Sequence, residues 1–217
     1  MPLAIEEWEP RIEAHLRAAY AAQPQDGGHD LLHVRRVVAT ALALAEAEGA
    51  RLEVVLPAAW LHDLVVVPKG DPGRAQASRL SGEAAVRFLA DAGYPQELLE
   101  DIRHAVEAHS FSAGIEARTP EARVVQDADR LDGLGAIGIA RCFGVGAAMG
   151  RPLYAEGEPF AESRPLDDGA YSLDHFYVKL FKTAERLTTE AGRAEGRRRA
   201  ETMRAYLSEF RRELGLP

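Results

Sequence analysis

The stretch Leu56-Pro57-Ala58-Ala59-Trp60-Leu61-His62-Asp63 decides how this sequence folds. Six apolar residues run directly into a histidine and a carboxylate, so an ionisable pair stands where a core segment ends. An unpaired carboxylate in such a place is costly or is forced to take a proton, and a bound cation is one way to satisfy it. The apolar segment, about residues 52–64, predicts one buried helix with Pro57 near its first turn.

Two further groups of histidines and acids have a similar setting. His29 and His33 lie four residues apart at the start of a predicted helix, which puts both imidazoles on one inward face. Asp127 and Asp129 stand against apolar residues on another predicted helix. Two imidazoles with two carboxylates form a mixed nitrogen and oxygen site, which suits Mn, Fe, Co or Ni at least as well as zinc. Such a set leaves roughly two positions of a six-coordinate ion for water and a substrate oxygen.

Apolar residues recur at helical spacing in nearly every periodic segment, which predicts an all-α fold. No alternating strand longer than a few residues is present, and residues 150–169 form a long loop rich in glycine, proline and aspartate. The predicted helices begin at Trp8 and Leu31, the latter stopping at Gly49, and continue at about residues 52–64, 81–92, 97–108, 121–134, 173–191 and 194–214.

Composition limits the classes of function. With 34 acidic and 26 basic residues, the net charge of −8 disfavours binding to a nucleic acid polymer or an anionic membrane. The single cysteine, Cys142, excludes a disulfide scaffold and a thiolate zinc site, and a reducing cytoplasm fits best. No apolar run approaches the roughly 20 residues that span a bilayer, and the acidic amino terminus is unlike a signal peptide. The length of 217 residues predicts one domain.

The residues His33, His62-Asp63 and Asp129 resemble the His…His-Asp…Asp signature of the HD-domain metal-dependent phosphohydrolases. The resemblance covers about residues 25–185. Within the family, the sequence is most similar to the short, stand-alone bacterial members. It implies a single HD domain over residues 1–217, built as a helical bundle with the metal between core helices and closed by helices at about 173–214. The matching blocks are residues 28–37, 59–63, 108–112, 126–132, 135–141 and 174–176.

The resemblance also assigns roles to the site residues. The resemblance implies a divalent metal ion, namely Mn, Co, Ni, Fe or Mg. Its implied ligands are His33, His62, Asp63 and Asp129. His29 and His104 are expected to support these ligands, and Asp63 and Asp127 are the candidate catalytic residues. One ion is preferred over two, although His104 or His109 would be available to a second.

Basic residues near the implied ligands are candidates for phosphate contacts. Arg36, Lys69 and Arg74, together with His109, are expected to bind the substrate, because cations can hold the nonreacting phosphates and offset charge in the transition state. The expected partner is a small phosphorylated compound, most simply a nucleotide, and a homodimer is one possible assembly.

The resemblance favours a nucleoside triphosphate phosphohydrolase or pyrophosphohydrolase. Two alternatives stay open at this point. One is a cyclic-nucleotide or alarmone phosphodiesterase, and the other is a nonenzymatic module that binds a nucleotide or metal for regulation.

One motif points to a different function but has the wrong context. Residues Gly133-Leu134-Gly135-Ala136-Ile137-Gly138 match the G-x-G-x-x-G dinucleotide fingerprint letter for letter. That fingerprint should follow a buried apolar strand, whereas Asp127, Asp129 and Asp132 precede it here. We interpret these glycines as small residues that let helices approach closely.

Overall fold

The computed structural model describes residues 3–23, 30–67 and 71–217. Over these residues the chain forms helices joined by turns and contains no strand, which confirms the predicted all-α fold. It comprises two compact units, Met1–Asp129 and Arg130–Pro217. The single domain expected from the length stays a prediction.

Six helices lie in the described residues of the first unit, and the last of them continues into the second unit. They are α1 (Ile5–Ala21), α2 (Leu31–Glu48), α3 (Leu52–Leu61), α4 (Ala77–Asp91), α5 (Leu99–Ala108) and α6 (Pro120–Asp132). Short 3₁₀ turns at Pro72–Gln76 and Gln96–Leu98 lead into α4 and α5.

Helix α3 lies at the centre of the first unit. All residues from 54 to 61 are buried, because this helix is apolar on every face and must be surrounded to keep out water. It packs against α1, α2, α4 and α5. His62, the next residue along the chain, is therefore also completely buried.

Pro57 lies in the second turn of α3, whereas the sequence predicted a position near the first turn. Because proline has no N–H group, the carbonyl of Glu53, four residues earlier, lacks its usual helical partner. The hydroxyl of the buried Tyr94 donates a hydrogen bond of 2.6 Å to this carbonyl. A side chain from outside the helix thus makes an internal proline tolerable.

Helix α2 has well-defined ends. The Asp30 side chain accepts a hydrogen bond of 2.6 Å from the backbone N–H of His33 and so caps the first turn. Gly49 ends the helix, as predicted, in the left-handed conformation with φ of 67°. The N-terminal cap fixes the backbone that carries the buried His33.

The second unit contains α7 (Gly135–Ala148), a π turn (Phe176–Leu180), α8 (Phe181–Glu185) and α9 (Glu190–Glu213). Helix α9 packs against both α7 and α8.

The predicted helix over residues 173–191 is too long, because helical structure is continuous only over residues 174–185 and then breaks before α9. After the π turn, α8 ends at Glu185, and α9 begins at Glu190 with Thr189 as its cap. The Thr189 hydroxyl accepts a hydrogen bond of 3.0 Å from the N–H of Gly192, which starts a new helix instead of continuing the old one. The predicted start of the last helix at residue 194 is therefore too late.

The glycines of the G-x-G-x-x-G match shape a helix start. They follow α6 and not a strand. Gly135 has φ of +68° and lies against the side chain of Arg199 on α9, while a Cβ on Gly138 would stand 2.2 Å from the carbonyl oxygen of Gly133. These glycines therefore allow the start of α7 to lie close to the preceding backbone and to α9, and they do not form a dinucleotide-binding loop.

The long loop of the second unit is tied down by an ion pair. Both terminal nitrogens of Arg164 donate to the carboxylate of Asp174, at 2.6 and 2.8 Å, and the N–H of Asp167 donates to the same carboxylate at 2.7 Å. Burial alone would raise the pKa of Asp174, but these donors outweigh it and the pKa is lowered.

Over the described residues, no single helix is both long and apolar enough to cross a membrane. Helices α6 and α7 meet that test only when taken as a pair, which is bent by 60° at its junction.

We expect Tyr94→Phe to lower the free energy of unfolding by about 1–3 kcal/mol, because it leaves a buried carbonyl without a donor. Urea denaturation measures this change. In a Pro57→Ala background the helix supplies its own N–H to Glu53, so the same substitution should cost less. Equal costs in both backgrounds would contradict the link between Tyr94 and Pro57.

We expect Asp174→Asn to lower the free energy of unfolding by about 2–3 kcal/mol at neutral pH. Because the folded pKa of Asp174 is depressed, the wild-type contribution is complete above the unfolded pKa of about 3.9 and is lost as the pH falls through the folded value. The gap between wild type and variant should therefore shrink in acid. Urea titrations at a series of pH values test this, and a constant gap would contradict it.

Candidate metal centre

Four helix ends of the first unit carry the side chains of the candidate site. His33 lies in the first turn of α2, and His62 and Asp63 directly follow α3. His109 follows α5 in the same way, and Asp129 lies in the last turn of α6. Residues distant in sequence are thus brought to one place by the packing of helices around α3.

The four predicted ligands converge. Nε2 of His33 lies 3.5 Å from Oδ1 of Asp129 and 3.9 Å from Oδ2 of Asp63. Nε2 of His62 lies 3.4 Å from Oδ2 of Asp63 and 3.9 Å from Oδ1 of Asp129. Ligand atoms that each stand about 2.0–2.2 Å from one ion are separated from one another by roughly these distances.

The imidazole of His62 is oriented for a cation. Its Nδ1 donates a hydrogen bond of 2.8 Å to the carbonyl of Ala59, so Nε2, the ring atom that can bind a second proton or a metal ion, points into the cluster. The side chain is completely buried, and Nε2 finds no hydrogen-bond partner among the described residues. A buried ring nitrogen without a hydrogen-bond partner is the arrangement that a metal ion satisfies, and the ion would take the place of any proton on it.

The electrostatics favour positive charge at this point. Burial lowers the pKa of His62, but the negative charges of Asp63 and Asp129 outweigh it and raise the pKa to about 9. Burial likewise opposes ionisation of Asp63, yet its pKa is held well below the usual range by the charge of His62 and a hydrogen bond from His109. Two carboxylates and neutral imidazoles would match a divalent ion, so the residues present fit a metal.

His109 joins the same cluster, although the sequence placed it with the substrate contacts. Its Nδ1 donates to the carbonyl of Val106 at 2.6 Å, and its Nε2 lies 3.4 Å from Oδ1 of Asp63. The ligand atoms therefore form two overlapping groups that share His62, each with its atoms within 4.8 Å of one another. The groups are His33, His62 and Asp129, and His62, Asp63 and His109.

The structure holds His109 as it holds His62. Each histidine directly follows the end of a helix and donates through Nδ1 to the carbonyl three residues earlier. The shared pattern of a histidine directly after an apolar helix end was the sequence signal that could have placed His109 among the ligand groups.

Two other predicted residues lie outside the ligand groups. Asp127 is completely buried on α6, and because residues two apart on a helix point roughly 200° away from each other, it faces a different side from Asp129. Nε2 of His104 accepts a hydrogen bond of 3.1 Å from the N–H of Arg118 and so fixes the segment between α5 and α6. Their predicted roles stay predictions.

Two of the three basic residues predicted to bind phosphate lie among the described residues. Arg36 is half-buried on α2, three residues after His33. Arg74 lies in the 3₁₀ turn before α4 and donates to the carbonyl of Val67 at 3.0 Å. His29 and Lys69 fall outside the described residues.

Comparison with known proteins agrees with this geometry. A family model described as HD domain matches residues 31–134. The chain is 31% identical over 194 residues to the protein YpgQ of Bacillus subtilis (strain 168). This alignment covers 88% of this chain and 86% of YpgQ.

Solved structures of similar proteins have the same fold. An HD-superfamily hydrolase from Bacillus thuringiensis gives a TM-score of 0.77 with 29% identity, over 98% of this chain and 99% of that protein. The structure of YpgQ in complex with ADP gives a TM-score of 0.73 with 30% identity, over 94% and 97% of the two chains. The chain therefore belongs to the HD-domain family.

We expect Mn²⁺ to raise the melting temperature of the chelator-treated protein, because a ligand that binds only the folded state stabilises it by about 2.7 kcal/mol at a concentration 100 times its Kd. Asp129→Asn and His62→Ala should reduce or abolish this shift, as measured by thermal denaturation with and without metal.

The matched control is His15→Ala, which removes a histidine of α1 that stacks on Phe88 and has no part in the ligand groups. It should keep the full metal-dependent shift. An unchanged shift in Asp129→Asn and His62→Ala would rule out this metal centre.

Proposed function

We propose that this protein is a divalent-metal-dependent phosphohydrolase that acts on a nucleotide, with nucleoside triphosphate phosphohydrolase or pyrophosphohydrolase activity foremost. The observation that carries the proposal is the buried Nε2 of His62, which has no hydrogen-bond partner in the described part of the chain and lies beside His33 and two carboxylates. Membership of the HD-domain family supports hydrolysis, and the complex of YpgQ with ADP supports a nucleotide.

A divalent ion in the site would act as a Lewis acid toward a phosphoryl oxygen and lower the pKa of a water molecule. His33 and His62 would hold it through Nε2, while Asp63 and Asp129 would balance its charge. The hydrogen bonds from His62 and His109 to backbone carbonyls keep both rings in fixed orientations, so the site needs little rearrangement to bind.

The same residues would handle the attacking water. Asp63 is ionised at neutral pH because its pKa is lowered, so its oxygens can accept a hydrogen bond from that water and orient it. His109, beside Oδ1 of Asp63, would contact the substrate through Nε2. We also propose Asp127 as a residue that accepts a proton or orients a ligand.

The phosphates that do not react would be held by basic side chains. Arg36, Lys69 and Arg74 carry this proposal, because each can donate charge-assisted hydrogen bonds to phosphate oxygens. Their positive charge would also offset negative charge that develops on the leaving group. An acidic protein can bind a polyanion in this way when its local potential is reversed.

A nucleotide panel with Mn²⁺, Co²⁺, Ni²⁺ or Mg²⁺, with phosphate and pyrophosphate release measured separately, tests the proposal. We expect the wild type to release one of these products and the His62→Ala/Asp63→Ala double variant to lose both turnover and bound metal. His15→Ala should retain turnover and metal within about twofold of wild type, since it touches no ligand.

The outcomes separate the alternatives. Pyrophosphate release identifies a pyrophosphohydrolase, and phosphate release a phosphohydrolase. Turnover confined to cyclic nucleotides or alarmones would replace the proposed substrate. Retained turnover with wild-type metal content in the double variant would overturn the assignment, and nucleotide binding without any product would indicate a regulatory module.

A further inference from the structure

Asp63 is followed by a segment without regular structure. Helix α3 ends at Leu61, and residues 62–67 form turns and irregular backbone. Backbone N–H and C=O groups outside a helix or sheet need partners of another kind, because leaving them unpaired away from water is costly. In this segment, side chains from other elements supply several of these partners.

Gln23, just beyond α1, pairs with two peptide groups of this segment. Its Nε2 donates to the carbonyl of Leu64 at 3.0 Å, and its Oε1 accepts a hydrogen bond of 2.8 Å from the N–H of Val66. The same Nε2 also donates to the carbonyl of Ala19 at 3.1 Å, which holds the side chain against the end of α1. One amide group thus fixes two successive peptide units of the segment relative to α1.

Tyr20 holds the residue that precedes these peptide units. Its hydroxyl donates to the carbonyl of Asp63 at 3.1 Å, and its side chain is buried. The N–H of Gln23 donates to the carbonyl of Tyr20 at 3.3 Å, so the two residues lie one turn apart at the end of α1. The carbonyls of Asp63 and Leu64 therefore both accept from the same end of one helix.

Two further side chains hold other parts of the segment. Oγ of the buried Ser81 on α4 accepts a hydrogen bond of 3.0 Å from the N–H of Val65. Arg74 donates to the carbonyl of Val67 at 3.0 Å. These contacts lie on other peptide groups, whereas the two carbonyls that follow the Asp63 side chain accept from the end of α1.

The position of the Asp63 carboxylate follows closely from that of its backbone. An aspartate side chain has only χ1 and χ2 between the backbone and its oxygens. One of these oxygens lies 3.4 Å from Nε2 of His62, and the other lies 3.4 Å from Nε2 of His109. Because distances between a metal and its ligands tolerate a spread of only about 0.2 Å, even a small backbone displacement would weaken binding of an ion.

We propose that Tyr20 and Gln23 are positioning residues of the metal centre, because they hold the backbone that places the Asp63 carboxylate beside His62 and His109. The inference rests on the proposed metal-dependent function. It gives α1, which contributes no residue to the ligand groups described above, a part in binding the ion.

Calorimetric titration of the chelator-treated, full-length protein with Mn²⁺ tests the proposal. We expect Tyr20→Phe and Gln23→Met each to raise the Kd for Mn²⁺ by at least about fivefold, and the double variant by at least about tenfold. Removal of groups that orient metal ligands typically weakens metal binding by roughly 10–100-fold. The visible absorption spectrum of bound Co²⁺ should change in the same variants, because it depends on the geometry of the ligands.

Two controls separate positioning from a general loss of stability. Gln96→Met makes the same change at an exposed glutamine in the turn before α5. Asp174→Asn weakens an ion pair of the second unit and touches no ligand. Both should bind Mn²⁺ with a Kd within about twofold of wild type at a temperature where every variant is folded, since lower stability alone does not change the affinity of the folded state.

The outcomes distinguish this inference from the proposed function. If the wild type binds Mn²⁺, an unchanged Kd in Tyr20→Phe would overturn the inference and leave the metal centre standing, and so would an equal rise in Asp174→Asn. Tyr20→Phe keeps the ring and its packing, so this variant should fold even where Gln23→Met does not. A wild type that binds no Mn²⁺ would overturn the proposed function and this inference with it.

Discussion

The complete burial of Nε2 of His62 is the constraint on which the candidate site of the first unit depends. Helix α3 is apolar on all sides, so its burial carries His62 away from water along with the rest of the helix. A nitrogen acceptor in such a place must meet a proton, a donor or a cation, because water cannot reach it. Asp63 and Asp129 supply negative charge on one side, and the carbonyl of Ala59 fixes the ring from the other. Side chains at the ends of α2, α3 and α6 therefore meet at Nε2 of His62.

Much of the fold and of the candidate site could be predicted because the relevant signals are local. An acid that follows six apolar residues, as Asp63 does, indicates a site from the sequence alone. The cap at Gly49 likewise depends only on the preference of one residue for positive φ. The HD-domain resemblance adds the pairing between His33 and Asp129, which lie far apart in sequence and could not be paired by periodicity.

What the sequence did not predict depends on contacts between distant segments. The Thr189 hydroxyl caps a new helix instead of letting the preceding helix continue. The spacing of apolar residues does not distinguish these two outcomes. The distance between His109 and Asp63 depends on how α5 packs against α3, so the local pattern that marks His109 as a candidate does not by itself give its neighbour. The Asp168–His175 pair and the Arg164–Asp174 pair are tertiary in the same sense, because each joins the predicted loop over residues 150–169 to the helix predicted after it.

The hydrogen bond from Tyr94 to Glu53 has a consequence for how the protein folds. The second turn of α3 cannot be completed by its own backbone, since Pro57 lacks the N–H group, and the missing donor comes from 41 positions further along the chain. The stability of this helix is therefore coupled to a contact that closes a long loop of the chain. Loss of that contact would loosen the same helix that presents His62, so the candidate site and the core share one source of stability.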